Sequence, residues 1–265
     1  MLQIGLDLRD EANELHAFLK TLAPGDWEKE TRFLGWTPWN VVGHLHFFDH
    51  VSLLALTDMD GFQEARKQVI ADAQAGVNGK QQTERAYGNY DAQELLARWS
   101  ETCLAMAEQL GQSDPKRRLP WFGPDMGVQM FTTARYMETW AHAQAIYDLN
   151  QTPRSHTDRI KNIATIGVKT FGWTFVNRGL EAPGPPPYVC LVAPSGETWE
   201  WNEPSEEEVV RGDALEFCQA VTQVRNVTDT NLEVIGDVAH QWMSIAQCFA
   251  GGPVDPPKPG ERSGV

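Results

Sequence analysis

Glu138 and His142 stand four residues apart in the stretch Arg135-Tyr136-Met137-Glu138-Thr139-Trp140-Ala141-His142. Residues at that spacing share one face of a helix. Phe131, Ala134, Arg135, Ala141, Ala145 and Leu149 fall on the same face, so it points toward a core. Far upstream, His44 lies on a second apolar stripe with Val41, Leu45, Phe48, Val51, Ser52 and Ala55. Ionisable side chains are rarely buried unless they are paired, hydrogen-bonded or bound to a metal. Two imidazoles and one carboxylate directed inward are a ligand set for Zn²⁺ with one position left open, or for Fe²⁺ or Ni²⁺ with more positions open. The competing reading is a buried Arg135–Glu138–His142 hydrogen-bond network without a metal. His46 and His50 fall on the opposite side of the His44 helix. As a lone surface pair they supply too few ligands for a closed site, and they read as solvated histidines.

The elements that must hold these residues are helical. An amphipathic segment from about Leu6 to Leu22 carries Leu8, Ala12, Leu15, Leu19 and Leu22 on one side. Thr37 as N-cap and Pro38 at the first helical position start the His44 helix, which runs to about Leu56. A further helix spans about Met59 to Ala75. Asp91, with Glu94 as capping-box partner, starts another that runs to about Leu110. The Glu138/His142 helix spans about Val128 to Leu149. Four principal helices with no strand between them predict an antiparallel bundle. A helical connection follows over about Asp158 to Asn177, and the run Glu181-Ala182-Pro183-Gly184-Pro185-Pro186-Pro187 breaks any helix and reads as a linker. Tyr188–Val192 and Thr198–Trp201 flank the turn Pro194-Ser195-Gly196 and read as a hairpin. Gly212 to Val224 reads as a helix, Leu232 to Ile235 as a strand, and Val238 to Phe249 as a last helix. The expected fold class is thus a four-helix bundle followed by a small α+β domain. The expected boundaries are 1–155 for the bundle, 156–187 for the connection and linker, 188–252 for the second domain and 253–265 for a flexible, Pro/Gly-rich tail.

Composition bounds the partners. The chain has 265 residues, 42% of them hydrophobic, and a formal net charge of −14. A surface this acidic repels phosphate backbones, so nucleic acid is not expected as a partner; the basic run Lys116-Arg117-Arg118 reads as a solvated loop. No apolar stretch is long enough for a membrane span. With no basic leader at its start, the chain is expected to be cytoplasmic. Its four cysteines, Cys103, Cys190, Cys218 and Cys248, then read as buried thiols. Tyr136, Trp140 and Tyr147 form an aromatic stripe on the back of the last bundle helix. Packing against the second domain is the leading expectation for it, with a homodimer interface as the alternative.

The stretch Gly35-Trp36-Thr37-Pro38-Trp39-Asn40-Val41-Val42-Gly43-His44-Leu45 resembles the second-helix signature of the DinB-like bundles, in particular the N-terminal metal-binding domain of mycothiol-dependent maleylpyruvate isomerases. Arg135-x-x-Glu138-x-x-x-His142 resembles the signature of their last helix. The resemblance covers roughly residues 5 to 150 and implies His44, Glu138 and His142 as ligands of a divalent metal, usually zinc. From about Tyr188 to Gly252 the chain is similar, more weakly, to the α+β domain that follows in those enzymes. There Arg225 matches an arginine that faces the metal cleft, with Val224 where those enzymes carry glycine. The stretch Trp242-Met243-x-x-Ala246-Gln247-x-Phe249-Ala250-Gly251 also resembles a segment of proteins of wyosine-tRNA formation, a partner class the net charge disfavours.

What the resemblance implies is a thiol-dependent isomerase or transferase acting on a small-molecule substrate. A low-molecular-weight thiol would serve as nucleophile, and Arg225 would hold a substrate carboxylate. Two other classes stay open. One is a metal-assisted hydrolase, with Asp49 at the edge of the His44 face as base if it is not merely a surface salt-bridge partner. The other is a non-catalytic module stabilised by metal.

Overall fold

The computed structural model describes residues 1–262. It divides into two compact units, Met1–Asn150 and Gln151–Val265. Among the described residues are ten α-helices and six short strands. No described helix is long and apolar enough to cross a membrane.

The first unit is a bundle of four long helices: α1 (Gln3–Leu19), α2 (Pro38–Thr57), α5 (Ala92–Gln112) and α6 (Val128–Leu149). α2 and α5 start where their local chemistry dictates. Pro38 opens α2, and the Thr37 hydroxyl accepts from Asn40 N at 3.2 Å while Asn40 Oδ1 accepts from Thr37 N at 3.0 Å, a reciprocal cap. Asp91 caps α5 by accepting from Glu94 N at 2.8 Å. The expected reciprocal bond from Glu94 does not form; its carboxylate takes Arg98 instead, at 2.8 and 3.1 Å. α1 buries Leu8, Ala12, Leu15 and Leu19, the stripe its sequence predicts. α1 and α5 cross closely at Gly5 and Gly111, where a Cβ on Gly5 would lie 2.7 Å from the Gly111 Cα. Only glycine permits that approach.

Two helices lie outside the bundle proper. α3 (Met59–Gln74) matches its expected span, and α4 (Gly79–Tyr87) falls in a stretch the sequence left without structure. Asn78 and Gln81 cap α4 reciprocally at 3.0 Å in each direction. It packs on α2 through Thr83, which fills the notch left by Gly43. A two-residue ladder, β1 (Arg118–Leu119) with β2 (Met126–Gly127), pins the loop that enters α6.

The second unit begins with a short 3-10 turn over Asp158–Ile160, then α7 (Lys161–Lys169) and α8 (Phe171–Val176). The continuous helix expected there is broken at Thr170, whose hydroxyl donates back to Ile166 O at 2.7 Å. The hairpin of β3 (Tyr188–Val192) and β4 (Thr198–Trp201) is antiparallel as expected, turning through Gly196 at φ +88°. β5 (Val209–Asp213) runs parallel to β3, and β6 (Glu233–Ile235) closes the order β4-β3-β5-β6. The sheet buries Val189, Leu191, Trp199, Val209 and Val210. The helix expected from Gly212 starts later: Asp213 caps α9 (Ala214–Val221) by accepting from Leu215 N at 2.7 Å, so Gly212 lies within β5. α10 (Asp237–Ile245) lays Trp242 against Phe171 and Phe217, at 5.4 and 5.9 Å between ring centroids.

The segment expected as a flexible tail is tied to the second unit as far as it is described. Arg178 pairs with Asp255 at 2.7 Å, Gln223 Nε2 donates to Val254 O at 2.8 Å, and Asn226 Nδ2 donates to Pro257 O at 2.7 Å. Arg262 donates to Gln223 O at 2.9 Å. Low apolar content is offset here by side-chain bonds to backbone carbonyls. The last three residues of that expectation lie outside the described residues.

Candidate metal centre

α2 and α6 face each other in the bundle, and each turns its ionisable side chains inward at the same level. One ligand atom from each of His44, Glu138 and His142 lies within 4.8 Å of the others. His142 Nε2 and Glu138 Oε2 are 3.2 Å apart. Two ligands each at about 2.0–2.2 Å from a tetrahedral zinc are separated by roughly 3.4 Å, so this pair already has ligand spacing. The imidazoles of His44 and His142 are 4.6 Å apart, centroid to centroid. All three side chains are partly covered; Glu138 keeps 23% of its side-chain surface and His142 keeps 12%.

The electrostatics suit metal ligation. Burial opposes the ionisation of Glu138, but the hydrogen bond and charge of His142, with Arg135 and His44 behind them, outweigh it and hold the carboxyl at about 2. Burial, and then the neighbouring His142, push His44 well below the ordinary histidine value. The set therefore presents a carboxylate and a neutral imidazole lone pair near pH 7, the forms that bind a divalent cation.

Arg135 does not hydrogen-bond Glu138 or His142, as the competing metal-free network would require. Its guanidinium donates to Asp49 Oδ1 at 2.8 and 3.1 Å, while Trp99 Nε1 donates to Asp49 Oδ2 at 3.1 Å. Asp49 has no exposed surface. It is therefore neither a surface salt-bridge partner nor a base facing a substrate; it anchors Arg135. Burial raises the Asp49 carboxyl against the opposing pull of Arg135. The histidines on the other side of α2 also depart from expectation. His50 is exposed, but His46 is half-buried, with its ring 5.0 Å from that of Tyr87 on α4. Burial, then His50 and Arg98, lower it to about 4. The unforeseen α4 is what covers it.

Sequence reasoning placed Phe48 on the His44 stripe but did not foresee Trp36 and Phe33 against the ligands. Trp36 stacks parallel to His142 at 5.8 Å and lies edge-on to His44 at 5.1 Å. Phe33 meets His142 edge-on at 5.1 Å, and Phe48 leans on His44 at 4.8 Å. Trp36 and Phe33 precede the α2 cap and have no helical periodicity to reveal them. Tyr136, Trp140 and Tyr147 are all buried within the single chain, so they offer no face to a second copy; Tyr147 stacks on Phe18 of α1 at 4.0 Å. Arg225 is buried in the second unit and donates to Val224 O at 3.1 Å. The thiols of Cys103, Cys218 and Cys248 are buried, while Cys190 is half-buried on the sheet.

The family model of the mycothiol maleylpyruvate isomerase N-terminal domain matches residues 8–147, a span that holds all three clustered ligands. The chain belongs to that family. Uncharacterized proteins from two strains of Mycobacterium tuberculosis are similar over nearly the whole length, at 38% identity across 93% of this chain and 95% of theirs. The fold of this family member is also that of a solved mycothiol-dependent maleylpyruvate isomerase, at TM-score 0.52 and 11% identity over 82% of this chain and 87% of that one. A mutant of the same enzyme matches at TM-score 0.51. That likeness extends past the bundle into the α+β unit.

Proposed function

We propose that this chain is a metal- and thiol-dependent transferase or isomerase, with His44, Glu138 and His142 as the ligands of one divalent cation, zinc before nickel or iron. The observation that carries the reading is the convergence of those three ligand atoms within 4.8 Å inside the domain that defines the family. The donor set fits the group: two imidazoles and one carboxylate leave a tetrahedral ion one ligand short. A cation held by these three residues would supply a lowered thiol pKa, and so a thiolate nucleophile at neutral pH.

The protein's own residues do the rest. His142 and Arg135 keep Glu138 ionised, and Asp49 holds Arg135 in place at the back of the centre. Trp36 fixes the plane of the His142 ring by stacking on it. The thiol is a low-molecular-weight one, with mycothiol as the first candidate because the family is named for it. In the second unit, Arg225 is proposed to orient a substrate carboxylate. The hydrolase alternative has lost Asp49 as its base, because that carboxylate is buried and committed. Elemental analysis of purified protein tests the reading. We expect one divalent ion per chain, lost in His44→Ala and His142→Ala and retained in His46→Ala and His50→Ala. Full metal content in the first two variants would place the site elsewhere. Titration of cobalt-substituted protein with small thiols should then produce a charge-transfer band, and an unchanged spectrum would remove the thiol chemistry. Arg225→Ala should raise KM for a carboxylate substrate more than it lowers kcat, and full activity in that variant would remove Arg225 from the mechanism.

A further inference from the structure

The rings that pack on the ligands do not stop there. Phe48, whose ring leans on His44, also meets Trp121 at 6.2 Å and Phe122 at 5.8 Å. Behind them Phe62 lies 6.4 Å from Trp121 and 6.2 Å from Phe122. The aromatic surface thus runs from the candidate metal ligands along α2 to the loop over residues 120–125. Its parts are not equivalent. Trp121 and Phe62 are buried at 7% and 0% exposure and form the floor. Phe48 and Phe122 stand on that floor half-exposed, at 77° to each other. The loop that carries Phe122 is held by the β1–β2 ladder and by bonds from Arg118 to Asp125 O and from Arg117 to Leu56 O, the latter 2.7 Å. One half-exposed ring on α2 and one on a braced loop, continuous with a ligand set, form a surface shaped in advance of any guest.

We infer that Phe48 and Phe122 seat a planar, apolar group of the electrophilic substrate beside the metal ligands. The inference rests on the metal reading above and adds the substrate class. An aromatic or conjugated ring can make the edge-to-face and offset contacts these rings already make with one another. An anionic group gains little on that surface. Arg135, the cation whose charge reaches the ligands, has its guanidinium on Asp49, so any carboxylate of the substrate is recognised elsewhere.

A pair of metal-seeking probes tests this. Acetohydroxamate and benzohydroxamate ligate through the same oxygens and differ by a phenyl in place of a methyl. By calorimetry on the zinc-loaded full chain, benzohydroxamate should bind at least about tenfold more tightly, the worth of burying the added ring carbons. Phe48→Leu and Phe122→Ala should each cut that ratio to about threefold or less, and Phe122→Ala, whose ring does not touch the ligands, should leave acetohydroxamate affinity unchanged. Equal affinities in the unmodified protein, or a ratio indifferent to both substitutions, would overturn the inference while leaving the metal reading intact. If the purified chain takes up no zinc, the metal reading fails by itself, and fluorine NMR of 4-fluorobenzyl alcohol decides the aromatic seat. Line broadening that disappears in both Phe48→Leu and Phe122→Ala would support the seat, and no broadening in the unmodified chain would overturn it.

Discussion

Asp49 shows what a single residue contributes to the candidate centre without touching it. Its carboxylate takes two bonds from Arg135 and one from Trp99 in a fully buried setting. Removing one partner of such a pair leaves the other charge buried and uncompensated, at a cost of about 3–5 kcal/mol. Asp49→Asn should therefore lower stability by about that amount in urea unfolding. Asp49→Leu combined with Arg135→Met should cost clearly less than Asp49→Asn alone, and the opposite order would mean that the pair is not the source of the effect. The same residue marks the limit of the sequence reading. His44, Glu138 and His142 were legible because helical spacing puts each on an inward face. The choice of Arg135 between Glu138 and Asp49 was not, because a pairing between polar groups on different helices leaves no periodic trace in either segment. Arg225 enters the proposal by family resemblance alone.

At the scale of elements, α4 depends on a contact of one methyl with one missing side chain. A Cβ at Gly43 would lie 2.1 Å from Thr83 Cγ2, far inside contact distance, and Thr83 is the residue α4 buries. Gly43→Ala gains about 1 kcal/mol of helix propensity in α2 but overpacks this notch at about 1–3 kcal/mol. We expect a net loss of stability in thermal melts. Thr83→Ser removes the clashing methyl and keeps the hydroxyl that donates to Gly79 O at 2.9 Å, so the double variant should recover most of the loss. Strict additivity of the two changes would mean that the notch is not what seats α4. The long helices were readable from their stripes and caps. α4 was not, because its stretch Gly79-Lys80-Gln81-Gln82-Thr83-Glu84-Arg85-Ala86-Tyr87 has almost no apolar stripe and its capping box is the sole local signal. In the second unit the Val209-Val210 run was too short to announce β5, and its pairing with β3 on one side and β6 on the other makes it a strand.

At the scale of the whole molecule, metal-free protein should lose stability as pH falls below neutrality, and the source is histidine burial. His46 and His156 are each lowered to about 4, chiefly by burial, and His44 lies well below its ordinary value of 6.5. Unfolded, all three return toward 6.5 and take up protons that the native state refuses. The unfolded state then binds more protons, so stability rises with pH across this window. The contribution is complete above about 6.5 and is lost as pH falls toward 4. Glu138, held at about 2 against an ordinary 4.5, extends the loss to lower pH with the same sign. The net charge of −14 acts the other way, since protonating carboxylates relieves self-repulsion. Ordinary carboxylates stay ionised between pH 6.5 and 5, so the several lowered histidines set the slope there against the single opposing carboxyl, Asp49, that burial raises. His46 and His156 sit in different units, which makes the origin separable. In chelated protein, melts at pH 7 and pH 5 should show a fall in melting temperature. His46→Gln should shrink that fall for the transition of the first unit alone, and His156→Gln for that of the second. A fall of unchanged size in both variants would mean that these histidines are solvated in the folded chain, and that the acid sensitivity has another source.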